Sequence, residues 1–172
     1  MKKLIIAVAI VASAFVQNSF AQTTGAQSLN NVLSAYINLK NALAIDKGDS
    51  ARASAKILFN TIAKVPMDKL TAEQHKIWMQ YADQLSYHAE HIKGTNELEH
   101  QREHFVTLSG LMYKAMKELN INTNVLYYQY CPMANDGKGA YWVSEDSKIR
   151  NPYMGKKMPS CGSTKDSIQV KN

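Results

Sequence analysis

The sequence predicts a mainly α fold: an antiparallel up-down four-helix bundle followed by a small β-hairpin and an irregular Cys/Met-containing C-terminal segment. Three observations carry this. Between residues 29 and 119, apolar side chains recur at the spacing of a helix with one buried face. The breaks between these runs are short, which makes successive helices of similar length antiparallel neighbours. After Asn124 the chain turns to β-branched and aromatic residues around a strong turn signal, then to recurring prolines and glycines that fit no long helix.

At the N-terminus, Lys2 and Lys3 precede an apolar run from Leu4 to Val16, and Ser19-Phe20-Ala21 offers small residues where a signal peptidase reads. Residues 1–21 are therefore expected to be a cleaved signal peptide, with the mature chain exported. The apolar run is too short for a lasting span, and no later stretch resembles one. Without Lys2 and Lys3 the formal net charge of +6 falls to +4. The remaining basic residues are scattered, so no nucleic-acid partner is expected. Residues 22–28 read as a flexible lead-in, and 29–172 as a single domain: a bundle over 29–119 and a hairpin and metal-site segment over 125–165.

The first helix is expected from about Leu29 to Ile45, with Leu29, Val32, Leu33, Tyr36 and Leu43 on its buried side and Gly48 in the left-handed turn after it. Asp49 or Ser50 is expected to cap the second helix, about Ala51 to Lys64, burying Ala51, Ala55, Leu58, Phe59 and Ile62. Pro66 breaks that pattern. Thr71-Ala72-Glu73-Gln74 is a capping box that opens the third helix, which runs to about Lys93 with Trp78, Tyr81, Ala82, Leu85, Ala89 and Ile92 inward. Thr95 or Asn96 is expected to cap the fourth, about Glu97 to Leu119, burying Leu98, Phe105, Leu108, Ser109, Met112, Met116 and Leu119.

Val125 to Tyr130 reads as a strand, Asn135-Asp136-Gly137-Lys138-Gly139 as a turn, and Ala140 to Ser144 as the returning strand. The region from Tyr130 to Gly162 holds both cysteines and three of the eight methionines. Thiolate and thioether sulfurs are soft donors that select Cu(I) over hard ions. Cys131-Pro132-Met133 offers two sulfurs on one side of an extended chain, and Met158 and Cys161 offer two more around Pro159. A tail folded back on the hairpin would bring the four together for Cu(I), Ag(I) or Zn(II), with Met154 as a further donor. A Cys131–Cys161 disulfide competes with that reading, because exported proteins form disulfides readily. A site that binds metal when reduced and locks when oxidised joins the two.

His88 and His91 near the end of the third helix, and His100 and His104 near the start of the fourth, meet at the turn around Gly94, and imidazoles so placed suit Cu(II) or Zn(II). They lie off or at the edge of the apolar stripes, among several glutamates, so a solvated polar face is the expectation. Trp142 and the tyrosines at 127, 128, 130, 141 and 153 read as core between hairpin and bundle rather than as a binding surface. Arg102 is expected to pair structurally with a carboxylate. No enzymatic activity is expected: no phosphate-cradling glycine loop is present, and nothing local joins either cysteine to a histidine base.

Four blocks carry a family resemblance: Tyr128-Gln129-Tyr130-Cys131-Pro132-Met133-Ala134; Gly139-Ala140-Tyr141-Trp142-Val143-Ser144; Ile149-Arg150-Asn151-Pro152-Tyr153; and Gly155, Met158 and Cys161-Gly162. With Arg102, Phe105, Leu108 and Ser109, the chain resembles, over about Leu29 to Ile168, a domain-of-unknown-function family (DUF3347). That family is found in exported bacterial proteins and at the C-terminus of periplasmic adaptor subunits of copper/silver-type heavy-metal efflux pumps. The resemblance implies a periplasmic domain associated with copper, with Cys131, Met133, Met158 and Cys161 on the family's sulfur positions. Met154 stands where relatives are expected to carry an aromatic residue, and is not carried over as a ligand. The adaptor's own bridging segments are missing from this sequence. What is implied is the domain alone, binding an ion or assisting periplasmic components of such a system.

Overall fold

The computed structural model describes residues 24–170; the expected signal peptide, 1–21, and the first two residues of the lead-in lie outside the described residues. Four helices come first, α1 (Gly25–Ala44), α2 (Gly48–Ala63), α3 (Ala72–Lys93) and α4 (Leu98–Leu119), then three strands, β1 (Leu126–Cys131), β2 (Ala140–Ser144) and β3 (Ser163–Ile168). Each helix packs against the next in sequence; α1 and α4 touch only lightly, and β2 lies against α4. The predicted stripes are buried, except that Phe59 and Leu98 are half-buried. Trp78, Leu85 and Ile92 of α3 meet Phe105, Leu108 and Met112 of α4 in one continuous core. No helix among the described residues is long and apolar enough to cross a membrane.

Local chemistry accounts for the helix ends and corrects several expectations. Helix α1 begins at Gly25, inside the expected lead-in: the Thr24 hydroxyl accepts the Gln27 N–H, and Gly25 and Ser28 are buried. The left-handed residue after α1 is Asp46, at φ 57°. Gly48 instead opens α2, where a Cβ would overlap the Asn96 carbonyl oxygen. Lys47, without a side-chain cap, precedes α2 in place of the expected Asp49 or Ser50 cap. The Thr71–Gln74 capping box forms as predicted. Glu97 is the N-cap residue of α4, and its N–H is taken by the Thr95 hydroxyl.

The bundle and the sheet are joined by Tyr36 of α1. Its hydroxyl meets Ser109 Oγ at 2.8 Å and accepts the Val143 N–H at 3.0 Å, while its ring stacks on Phe105. The hairpin forms as predicted, with Tyr127 opposite Ser144 and Cys131 opposite Ala140. A third strand, not expected from the sequence, follows the irregular segment and pairs antiparallel with β1, giving the order β2-β1-β3. Its pattern hides it: of Ser163–Ile168 only Ile168 is buried, so the apolar alternation that marks a strand is missing. A polar edge strand of this kind resists pairing with other chains. It is tied to α4 by Asp166, which accepts from Lys117 Nζ at 2.7 Å and from the Tyr113 hydroxyl.

Candidate metal sites

The β1–β3 pairing brings the two cysteines together. Tyr130 lies opposite Ser163 at the end of that ladder, so Cys131, one residue beyond Tyr130, and Cys161, two residues before Ser163, lie at the same corner of the sheet. Both are free thiols, Cys131 buried and Cys161 half-buried. Interaction with the Cys131 thiol, then burial, push the Cys161 thiol up from its ordinary value, and the Met133 backbone N–H works the other way.

Two side chains hold this corner. Asn151 is buried; its Nδ2 donates to the Cys161 carbonyl at 2.7 Å, and its Oδ1 accepts the N–H groups of Tyr153 and Met154. Its own N–H donates to the Pro159 carbonyl, closing the loop that carries Met158. Arg102 of α4 then fastens the loop to the bundle, as the expected structural pair. It donates to the carbonyls of Pro152 and Leu43 and to Asp46 Oδ1, while Asp46 Oδ2 accepts the Lys156 N–H. Burial works to raise the Asp46 carboxyl, but the Lys156 N–H and the Arg102 guanidinium outweigh it and hold it below its ordinary value. Gly155 sits at φ 53° against this pair, where any Cβ would strike the Asp46 carboxylate.

The thioethers are placed less closely. Met133 follows Cys131 in an exposed turn, 54% exposed, and lines a groove whose other wall is Glu99, Arg102, Glu103 and Val106 of α4. Met154 lines the same groove. Met158 is half-buried, and its carbonyl accepts the Cys161 N–H. Among the aromatics, Trp142 and Tyr153 are buried as predicted. Tyr128 and Tyr141 instead form a part-exposed stack with Tyr113.

A second cluster lies where α3 runs into α4. His91, His100 and His104 bring one ligand atom each within 4.8 Å of one another. His88 Nδ1 lies 3.1 Å from His104 Nδ1. The turn between these helices is held by Gln101, whose Nε2 donates to the carbonyls of Thr95 and Gly48. Burial, then the neighbouring imidazoles, lower the pKa of His88 and His104, which favours the neutral, ligating form. The rings remain partly exposed, in keeping with the expected polar face, and the two pairs meet at the turn around Gly94 as the helical spacings implied.

Residues 32–124 match a protein family described as "Protein of unknown function (DUF3347)". The chain belongs to that family. The match takes in most of α1, then α2 to α4, and ends before β1, so the thiol corner lies outside it while the histidine cluster lies inside. No curated protein matches the chain. No solved structure matches it.

Proposed function

We propose that this DUF3347 protein is an exported, periplasmic binder of a soft metal ion. Cu(I) is the first candidate, with Ag(I) or Zn(II) as alternatives, and the ion is cargo, sequestered or handed on rather than used in catalysis. The observation that carries the reading is the thiol pair: the β1–β3 pairing brings two free cysteines distant in sequence to one corner of the sheet, near enough for Cys131 to perturb the Cys161 thiol. Two thiolates drawn together suit a soft ion, while nothing about the pair suits Mg(II) or Ca(II). Met133 and Met158 are the proposed thioether donors. Thioethers bind without losing a proton, which keeps release easy. The partners that fit such cargo are periplasmic components of a heavy-metal efflux system.

The same proximity supports a second reading, in which the pair closes to a Cys131–Cys161 disulfide and the chain is a stapled interaction domain that binds no metal. Competition of the reduced chain against a chromophoric Cu(I) chelator separates the two. The metal reading expects one tightly bound Cu(I), lost in Cys131→Ser/Cys161→Ser and weakened in Met133→Leu/Met158→Leu with helicity retained. Equal, weak binding by all three proteins would leave the staple.

A further inference from the structure

We propose that His91, His100 and His104 form a second metal site, independent of the thiol pair, for a borderline divalent cation of the Zn(II) or Cu(II) class. Four of the chain's five histidines gather at the α3–α4 turn. His100 and His104, one helical turn apart on α4, share a face, and His91 reaches them from α3. The rings of His91 and His104 are stacked at 4.4 Å, and that of His100 lies 4.8 Å from His104. One ring nitrogen from each of the three thus lies within 4.8 Å of the others. The nearest carboxylate is Glu103, whose Oε2 is 3.9 Å from His100 Nδ1.

The rings do not serve as core packing, since the His100 side chain is 43% exposed. A cation held between the three nitrogens would replace solvent there. Zn–N bonds of about 2.0–2.1 Å at tetrahedral angles set neighbouring nitrogens about 3.3 Å apart. Closure from 4.8 Å therefore asks for side-chain rotation, which unstacks His91 from His104, and not for movement of the helices. His88 acts as a positioning residue. In the tautomer whose His104 Nδ1–H donates to His88 Nδ1, His104 Nε2 is left for the metal, as outer-shell partners commonly arrange. Three imidazoles with an exposed fourth position left to water suit a borderline ion. With no sulfur in the set, the cluster favours a borderline ion, whereas the thiol corner favours Cu(I).

The test uses Zn(II) by calorimetry and Co(II) by absorption, on the whole chain and on Cys131→Ser/Cys161→Ser. The proposal expects one sulfur-independent Zn(II), weakened by about tenfold or more in each of His91→Gln, His100→Gln and His104→Gln. Binding should be unchanged in His75→Gln, the one histidine away from the cluster, and helicity should be intact throughout. His88→Gln should weaken binding less than any of the three ligand variants. Bound Co(II) should show d–d bands without thiolate charge transfer, a readout available in the unmutated chain if the serine variant does not fold. Unaltered Zn(II) affinity in the three ligand variants, or Co(II) bound only through thiolate, overturns the proposal. Neither result touches Cu(I) binding at the cysteines, so the two readings fail separately.

Discussion

The thiol corner and the imidazole cluster are built in opposite ways. The cluster is local: two consecutive helices, one short turn, and imidazoles at helical spacings. The corner is long-range. Cys131 ends β1, Cys161 precedes β3, and they meet only because β3 pairs back on β1 and because Asn151 and Arg102 hold the intervening loop. A locally built site survives damage to distant elements. A site built by long-range pairing depends on every anchor of its loop. The sulfur site should therefore be easy to disable from a distance, and the imidazole site hard.

Arg102→Ala gives the sharpest contrast. It leaves Asp46 and the carbonyls of Leu43 and Pro152 without their donor, at a cost of about 2–4 kcal/mol. Chemical denaturation should show that loss. Thiol alkylation should speed up as the loop loosens, while Zn(II) affinity at the cluster stays within about twofold, since helix geometry sets it. Equal damage to both sites would end the distinction between them.

Asn151→Ala comes next, at about 1–3 kcal/mol, because it strips the N–H groups of Tyr153 and Met154 and the Cys161 carbonyl of their partner. Cu(I) affinity should drop even though no proposed ligand has changed. An unchanged Cu(I) affinity would mean that the loop is held by its other contacts.

Lys40 probes the seam between bundle and sheet, away from both sites. It is buried, with Ser144 Oγ 3.5 Å from its Nζ. Burial, and then the charge of Arg150, lower its pKa to about 8, against the pull of Asp146 and Glu145. Between that pH and about pH 10 the unfolded chain holds more protons than the folded one, so stability rises with pH. Above that window burial of Tyr36 and Tyr153, whose hydroxyls are pushed up, reverses the trend. Lys40→Met should raise stability at pH 7 by on the order of 2 kcal/mol and flatten the rise. Denaturation curves at a series of pH values check both. The smallest expected effect belongs to Thr71→Ala, which breaks the capping box of α3 for about 1 kcal/mol and should leave metal binding at the cluster, toward the far end of that helix, unaltered.

The same contrast explains what the sequence disclosed. The helices were legible because each carries a periodic apolar stripe, and the hairpin because its turn is marked by Asn135-Asp136-Gly137. The start of α1 was not, because Gly25 and Ser28 are buried without being apolar. Nor was β3, whose side chains are mostly exposed and whose pairing depends on β1 and on Asp166. For the sites, residue chemistry singled out Cys131, Met133, Met158 and Cys161. Only the third strand explains how the cysteines meet, and the loop leaves Met133 on the groove facing α4. The histidines were placed at the correct turn and assigned to solvent. Periodicity gives the face of one helix, whereas their convergence depends on how α3 and α4 are rotated against each other, which Gln101 and the core settle.

X-ray absorption at the copper edge, on the reduced chain carrying one equivalent of Cu(I), tests the central claim most directly. The account predicts a first shell of sulfur that disappears in Cys131→Ser/Cys161→Ser and persists in His91→Gln. A nitrogen shell that the cysteine variant leaves intact would contradict it, and would make the imidazole cluster the copper site.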